Sequence, residues 1–476
     1  MALDTYRETP PDPDWYPEPA QQCDAAARPA TISSGTPGPR YRIAFVSIQG
    51  AAASRLDGAS DGYGGPHLDV ARLAGELARA GHTVDVFTRC DDPGQRQVEH
   101  WTDGVRIVHV PAGPACVLPA EALAPHVDAF ARFITRFMRR QPDGYDIVHG
   151  ACLLAGMVAR QVTQSLGLPF VLTVGAPDRV RRDDHGTADA FARLRGEAEL
   201  VRAANRLVAA CPQDRHELER LYGAPLAPVA VVPHGFAPDE LWPVSRQEAR
   251  RRLGLDQARF TVLQLGHMAP RRGFDTVIQG VAMLRRGHGV DAQLLVVGGK
   301  ATCNPGVAGG ELGASSTMTM PGEDLELARL RAIAADLGIA AHVYFGGRQP
   351  RTALRDYYGA ADVFASTPWY HPCGIAPLEA MACARPVIAS EVGGIGSTVI
   401  DGLTGYLIPS RDPEALAERL ARLQRHPGLA RTMGDAGRRR ACEHYTWRHV
   451  ATQLAAVYAD VLHDTRTARP PAVLPT

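Results

Sequence analysis

The sequence predicts an α/β protein built from two doubly wound, Rossmann-like domains that face a cleft. Three observations carry this. At 476 residues the chain exceeds what one ordinary core holds. Short apolar runs alternate with segments of helical period, the pattern of a parallel sheet covered on both faces. The series also occurs twice.

Residues 1–39 are rich in Pro, Ala, Asp and Ser without an apolar period, and are expected to form a disordered arm. The first series occupies residues 40–236. Arg42 to Ile48 (RIAFVSI) reads as a buried strand, and Leu68 to Ala80 as a helix stopped by Gly81. Strands follow at Thr83 to Thr88, Gly104 to Val110, Asp146 to His149, Phe170 to Val174, Arg206 to Ala210 and Val229 to Val232. A hinge is expected around Phe236 to Val244, within a second domain spanning 237–445. Its strands are Phe260 to Leu265, Gln293 to Val297, His342 to Phe345, Val363 to Ala365, Pro386 to Ala389 and Gly405 to Ile408. Asp275 to Leu284 and Glu326 to Leu337 are helices between them. Lys300 to Gly322 is a Gly/Ser/Met stretch without period and is predicted to be a mobile surface loop. Trp447 to Leu462 is an amphipathic helix within 446–463, and 464–476 is a tail.

Composition excludes several classes. Lys plus Arg and Asp plus Glu balance at 51 each, so no bulk charge favours nucleic acid or an anionic membrane. Nine scattered cysteines without C-x-x-C spacing argue for a reducing compartment and against a disulfide framework or a zinc site. The N-terminus lacks an apolar signal region, and no run of about 18 apolar residues occurs, so a cytoplasmic enzyme is expected. Lys300 is the sole lysine. An Arg in a Lys position therefore carries little meaning here.

Three segments carry chemistry. Asp61 to His67 (DGYGGPH) places Tyr63, Gly64 and Gly65 before a helix, where bare backbone N–H groups can approach a phosphate or sugar; a plain flexible turn reads the same. Gly266 to Asp275 (GHMAPRRGFD) puts cationic side chains at a strand's carboxyl end, which suits a diphosphate, although most such arginines face water. Thr367 to Cys383 (TPWYHPCGIAPLEAMAC) is the strongest. A strand ends, a Pro/Gly turn follows, and a helix begins with Pro377 in its first turn. Its N-terminal N–H groups form an anion site. Glu379 stands where a carboxylate can accept both hydroxyls of a ribose, or can simply complement the helix dipole.

The order of these segments resembles glycosyltransferase family 4, the retaining GT-B enzymes, from Tyr41 to Leu462. Matching pieces are GYGG at 62–65, GHTVDVFTR at 81–89, CPQD at 211–214, VVPHGF at 231–236 and PRRGFDTVI at 270–278. Others are LLVVGG at 294–299, YYGAADVFASTPWY at 357–370, PLEAMA at 377–382 and VGG…DGLTGYLIP at 392–409. YTWRHVA at 445–451 resembles the family's helix that crosses back onto the N-terminal lobe. The resemblance implies a nucleoside-diphosphate sugar, UDP- or GDP-linked, in the C-terminal lobe and a small-molecule acceptor in the N-terminal lobe. It implies attack on the face that the leaving diphosphate vacates, with that phosphate as base and neither metal nor further cofactor. No nucleic acid and no integral membrane contact are implied; a homodimer is compatible with it.

Carried onto this chain, the resemblance places Gly64, Gly65, Gly266, Arg272, His371, Cys373, Gly374, Ile375, Ala376 and Glu379 against the donor. Arg348 and Arg351 stand near its nucleobase, and Tyr63, His149 and Gly175 face the acceptor. Arg272, His267 and His371 stand nearest the chemistry. Four positions depart from the family. In its E-x7-E motif Glu379 remains, but His371 replaces the first glutamate. The diphosphate pair, usually Arg and then Lys five residues later, is His267 and Arg272. A histidine usually following the strand Phe170 to Val174 is Gly175. Two readings follow: an active enzyme with an unusual donor or acceptor, a thiol needing the least help with deprotonation, or a weak or inactive homologue that only binds. The altered set suggests specialised metabolism such as antibiotic biosynthesis.

Rival classes fit poorly. A nicotinamide dehydrogenase needs G-x-G-x-x-G after a strand, and neither domain opens that way. A P-loop is suggested only by Gly299-Lys300-Ala301-Thr302, whose first glycine would fall at Leu294. His149 also reads as a packed strand-end histidine and His234 as turn chemistry. Cys373 and Cys383 read as small packing residues.

Overall fold

The computed structural model describes residues 39–48, 66–119, 122–174, 189–223, 227–299, 323–369 and 374–467. Two sheets organise them. The first contains β1 (Arg42–Ser47), β2 (Thr83–Arg89), β3 (Val98–Thr102), β4 (Val105–Val110), β5 (Ile147–Gly150), β6 (Phe170–Thr173), β7 (Arg206–Ala209) and β8 (Val229–Val231). Their order is β3-β4-β2-β1-β5-β6-β7-β8, parallel except for the β3–β4 pair. The second contains β9 (Phe260–Leu265), β10 (Ala292–Val297), β11 (Val343–Gly347), β12 (Val363–Ser366), β13 (Val387–Ser390) and β14 (Gly405–Ile408), in the order β11-β10-β9-β12-β13-β14.

Strand parity builds a core on both faces of each sheet. Ile43 and Phe45 of β1 enter one apolar cluster, and Ala44 and Val46 enter the opposite one. On β10, Leu294 and Val296 face one cluster while Leu295 and Val297 face the other. Both faces being buried explains the continuous apolar runs by which the strands were legible. The sequence reading lacks β3, an edge strand (VEHWT) with half-buried and exposed residues and no apolar run. Asp103-Gly104 turns it back onto β4, with Gly104 at φ 79°.

The chain crosses between the sheets twice, and the crossings bond to each other. Phe236 donates its N–H to the Tyr445 carbonyl at 2.9 Å, and Trp447 donates to the Phe236 carbonyl at 3.2 Å. Beyond this bridge the helix Trp447–Thr467 lays Trp447, Val450, Leu454 and Tyr458 into the cluster of Tyr41, Ile43 and Phe45. It therefore follows the second sheet in sequence and packs on the first.

Cys90, Cys116, Cys152, Cys211 and Cys383 are free thiols, whereas Cys442 is disulfide-bonded, a bridge that the scattered spacing does not predict. No helix among the described residues is long and apolar enough to cross a membrane. Of the predicted arm and loop, residues 1–38 and 300–322 lie outside the described residues.

Candidate donor site at the switch point of the second sheet

Strand order locates the site. β9 enters the second sheet first; β10 and β11 are added on one side of it, β12, β13 and β14 on the other. The direction of winding reverses between β9 and β12, and ligands of such sheets sit outside the strands' carboxyl ends at that point. Two of the segments singled out by sequence emerge there.

After β9, Gly266 is followed by a 3-10 turn, Pro270–Arg272, which Gly273 closes in the left-handed region at φ 67°. Only glycine fits position 273, because a Cβ would stand 1.9 Å from the Thr367 carbonyl oxygen. The Thr367 hydroxyl donates to the Gly273 carbonyl at 2.8 Å, and the Trp369 N–H to the Arg271 carbonyl at 3.1 Å. The β9 and β12 loops are thus bound edge to edge. Gln264 steadies the turn by donating to the Arg272 carbonyl at 3.2 Å. His267 and Arg272 are half-buried on this loop and Arg271 is exposed.

Next to it, Gly374 caps the helix Ile375–Ala382 in the left-handed region. In the first turn the N–H groups of Ile375 and Ala376 have no intrahelical acceptor, and Pro377 has no N–H to satisfy. Open space lies over Gly266, while Gly374 packs against Gly394. On the flank, the Arg348 N–H donates to the Gly299 carbonyl at 2.8 Å, which joins the ends of β10 and β11.

Glu379 is 4% exposed. Its Oε1 accepts from Arg351 Nη1 at 3.0 Å and its Oε2 from the Tyr358 hydroxyl at 2.9 Å. A buried carboxylate needs such partners to offset its lost hydration. It offers about four lone-pair positions, so two further donors can be accepted. Arg351 and Tyr358 lie seven residues apart on the helix Arg351–Ala360, two turns along one face, so both reach the same carboxylate.

Two expectations are corrected by this geometry. Arg351 does not stand ready for a nucleobase: its guanidinium is engaged by Glu379 and, through Nε at 2.7 Å, by Glu240. His149 is not an open acceptor ligand. It is 1% exposed and stacked on Phe45, with Nδ1 on the Tyr458 hydroxyl at 2.6 Å and Nε2 on the Thr173 hydroxyl at 2.7 Å. Burial pushes its pKa down to about 3, so the ring is neutral. It is the packed strand-end histidine. Burial likewise pushes the Cys383 thiol up to about 12, which removes it as a nucleophile. Tyr63, Gly64, Gly65, Gly175, His371 and Cys373 lie outside the described residues.

Tyr358, Glu240 and Gln213 were missed by the sequence reading. The Gln213 side chain, on the helix Pro212–Tyr222 of the first lobe, accepts from the Gly393 N–H at 2.6 Å, beside the cap of the helix that carries Glu379. Only Tyr358 had a signal, its spacing from Arg351.

Comparison with known proteins agrees with this architecture. Residues 64–235 match the family described as glycosyl transferase 4-like domain, and residues 245–440 match glycosyl transferases group 1. The chain is 33% identical to the D-inositol 3-phosphate glycosyltransferase of Acidothermus cellulolyticus, over 96% of this chain and 98% of that one. It is 32% identical to the protein of that name from Nocardiopsis dassonvillei, over 88% and 94%. Among solved structures, sucrose-phosphate synthase from Thermosynechococcus elongatus superposes with a TM-score of 0.73 at 29% identity, covering 89% of this chain and all of that one. With two doubly wound lobes, a site at the switch point of the second, and this similarity along nearly its whole length, the chain belongs to the group 1 glycosyltransferases of GT-B fold.

Proposed function

We propose that the chain transfers a glycosyl group, with retention and without a metal, from a nucleoside-diphosphate sugar to a small-molecule acceptor. The buried Glu379 carboxylate supports this most: it is fixed by Arg351 and Tyr358 one turn into the helix Ile375–Ala382 and keeps capacity for two hydroxyls. In this reading Glu379 takes the ribose hydroxyls. The Ile375 and Ala376 N–H groups, with Arg272, carry the diphosphate charge, Gly266 lets it approach the backbone, and Gly374 sets the left-handed cap that aims those N–H groups. His267 and Arg348 line the flanks of that anion. His371 and Cys373 are assigned to the sugar side, and Tyr63, Gly64, Gly65 and Gly175 to the space between donor and acceptor.

The bond from the anomeric carbon to the phosphate oxygen breaks, and a bond to the acceptor heteroatom forms on the same face. The acceptor proton passes to the leaving phosphate. The protein's contribution is positioning and charge support. The name of the relatives makes a phosphorylated cyclitol the first acceptor to test, with thiols and amines next; the departures at 175, 267 and 371 support a specialised pathway such as antibiotic biosynthesis.

A panel of UDP-, GDP- and ADP-sugars with inositol phosphate and thiol or amine acceptors tests the reading, with product mass and anomeric configuration as readouts. One donor is expected to give a single glycoside that keeps the donor's anomeric configuration. Absence of transfer, of donor hydrolysis and of nucleotide binding across the panel overturns it.

A further inference from the structure

A chain of ion pairs leads away from Glu379 to the other lobe. Arg351 spans two carboxylates, Glu379 and Glu240. Glu240 lies in the turn that follows the first crossing, between Ala237 of the first lobe's core and Leu241 of the second's. Its other oxygen pairs with Arg72, on the first-lobe helix Pro66–Arg79. Side-chain exposure falls along the path, from 27% at Arg72 and 25% at Glu240 to 12% at Arg351 and 5% at Glu379. The pairs are therefore screened least where they meet the site.

We propose that Arg72, Glu240 and Arg351 form a relay through which the seating of the two lobes sets the position and charge support of Glu379. Arg351 is then a positioning residue, and Arg72 tunes donor affinity without touching the donor. The inference rests on the reading of Glu379 as the ribose ligand.

Competition for one guanidinium is the physical basis. With Arg72 in place, the charge of Glu240 is shared between two cations, and the Arg351 fork serves both carboxylates. When Arg72 withdraws, Glu240 is left with Arg351 alone and draws it away from Glu379. Coupling of this kind is reciprocal, so a nucleotide that uses Glu379 favours the lobe arrangement in which Arg72 is seated. The Gln213–Gly393 bridge reaches the cap of the same helix from the first lobe. One bridge thus ends on Glu379 itself and the other on the Gly393 loop, whose neighbour Gly394 packs against the cap residue Gly374. A merely structural role predicts otherwise, because partly exposed ion pairs add little to stability.

Calorimetric titration of the full chain with UDP, GDP and ADP selects the diphosphate that binds. That ligand is then titrated into Arg72→Gln, Glu240→Gln and the double variant. Arg72→Gln is expected to weaken binding about three- to tenfold; Glu240→Gln, which removes the competing carboxylate, is expected to bind no more weakly than the unaltered chain, and the double variant to recover most of the Arg72→Gln loss. In Arg72→Gln donor KM is expected to rise in step while kcat stays within about twofold and Tm within about 2 °C. Arg351→Lys keeps the charge but not the two directed donors, and is expected to lose at least about tenfold in affinity. Unchanged affinity in Arg72→Gln overturns the relay and leaves the donor site standing. A double variant that binds as weakly as Arg72→Gln, or more weakly, overturns it as well. No nucleotide binding by the unaltered chain overturns both the relay and the ribose reading.

Discussion

At the scale of single residues, burial decides what each titratable group does. Glu379→Gln keeps shape but loses the charge that receives hydroxyl donors. Hydrogen bonds to a charged group are worth about 1.5–3 kcal/mol, so nucleotide affinity is expected to fall about 10- to 100-fold by calorimetry, with the fold retained. Asp214, in the CPQD segment, is the opposite case. Burial, opposed by its hydrogen bond with Cys211, raises its carboxyl from 3.8 to about 6. A folded-state value above the unfolded one means that the native chain holds this proton more tightly. The stabilisation is then complete below about pH 4 and is lost as pH rises through 6. At about 1.4 kcal/mol per pH unit, Asp214→Asn is expected to stabilise the protein by up to about 3 kcal/mol at pH 7 and by nothing near pH 4. Urea midpoints across that range check it; an equal effect at both ends refutes the assignment. His149 shows why residue roles are harder to read than folds. A histidine at the end of a strand looks the same in sequence whether it faces cleft or core. Parity was the available clue, since His149 shares the face of Ile147, which lies in the core cluster of Phe45.

At the scale of elements, the strands were legible because both faces of each sheet are buried, which writes continuous apolar runs into the sequence. β9 and β14 fall at the predicted residues, and the other runs differ by one or two residues at one end or at both. The β3 edge was illegible because solvent imposes no such run. The site was half legible. A loop-to-helix turn followed closely by a carboxylate is a local pattern, although the helix starts at Ile375 and puts Glu379 in its second turn, whereas the partners of Glu379 lie 21 and 28 residues away and only the fold brings them in. Contact between the β9 and β12 loops is likewise invisible in sequence, and Gly273 is where it can be tested. Gly273→Ala forces a methyl group against the Thr367 carbonyl and is expected to cost about 3 kcal/mol or more, with nucleotide binding lost as the loops separate. Gly289 provides the control: it also has a left-handed φ, 68°, with nothing within 4 Å of an added Cβ. Gly289→Ala is expected to cost only about 1 kcal/mol and to leave binding intact. Equal effects at the two positions would mean that backbone strain, and not the loop contact, sets the cost.

At the scale of the whole molecule, the last helix makes one cooperative unit of two sheets. Trp447 stands at the crossing, 5% exposed, and its ring lies so close to Gly235 that a Cβ there would meet it at 2.6 Å. From this point the helix fills the first lobe's outer face, and Tyr458 supplies the partner of His149 Nδ1. The first lobe therefore depends on residues that follow the second lobe in the chain, while the donor helix Ile375–Ala382 and its neighbours are packed in clusters of their own. Trp447→Ala removes a large buried ring at the junction and is expected to cost about 3–5 kcal/mol. That loss falls on the first lobe and on the bridge between Phe236 and Thr446. Calorimetry should then split one unfolding transition into two, the first lobe melting earlier. Because a ligand stabilises only the unit that binds it, the nucleoside diphosphate should raise the upper transition of Trp447→Ala and leave the lower one in place. A single transition, raised as a whole by nucleotide, would show that the lobes are held together by contacts other than this helix.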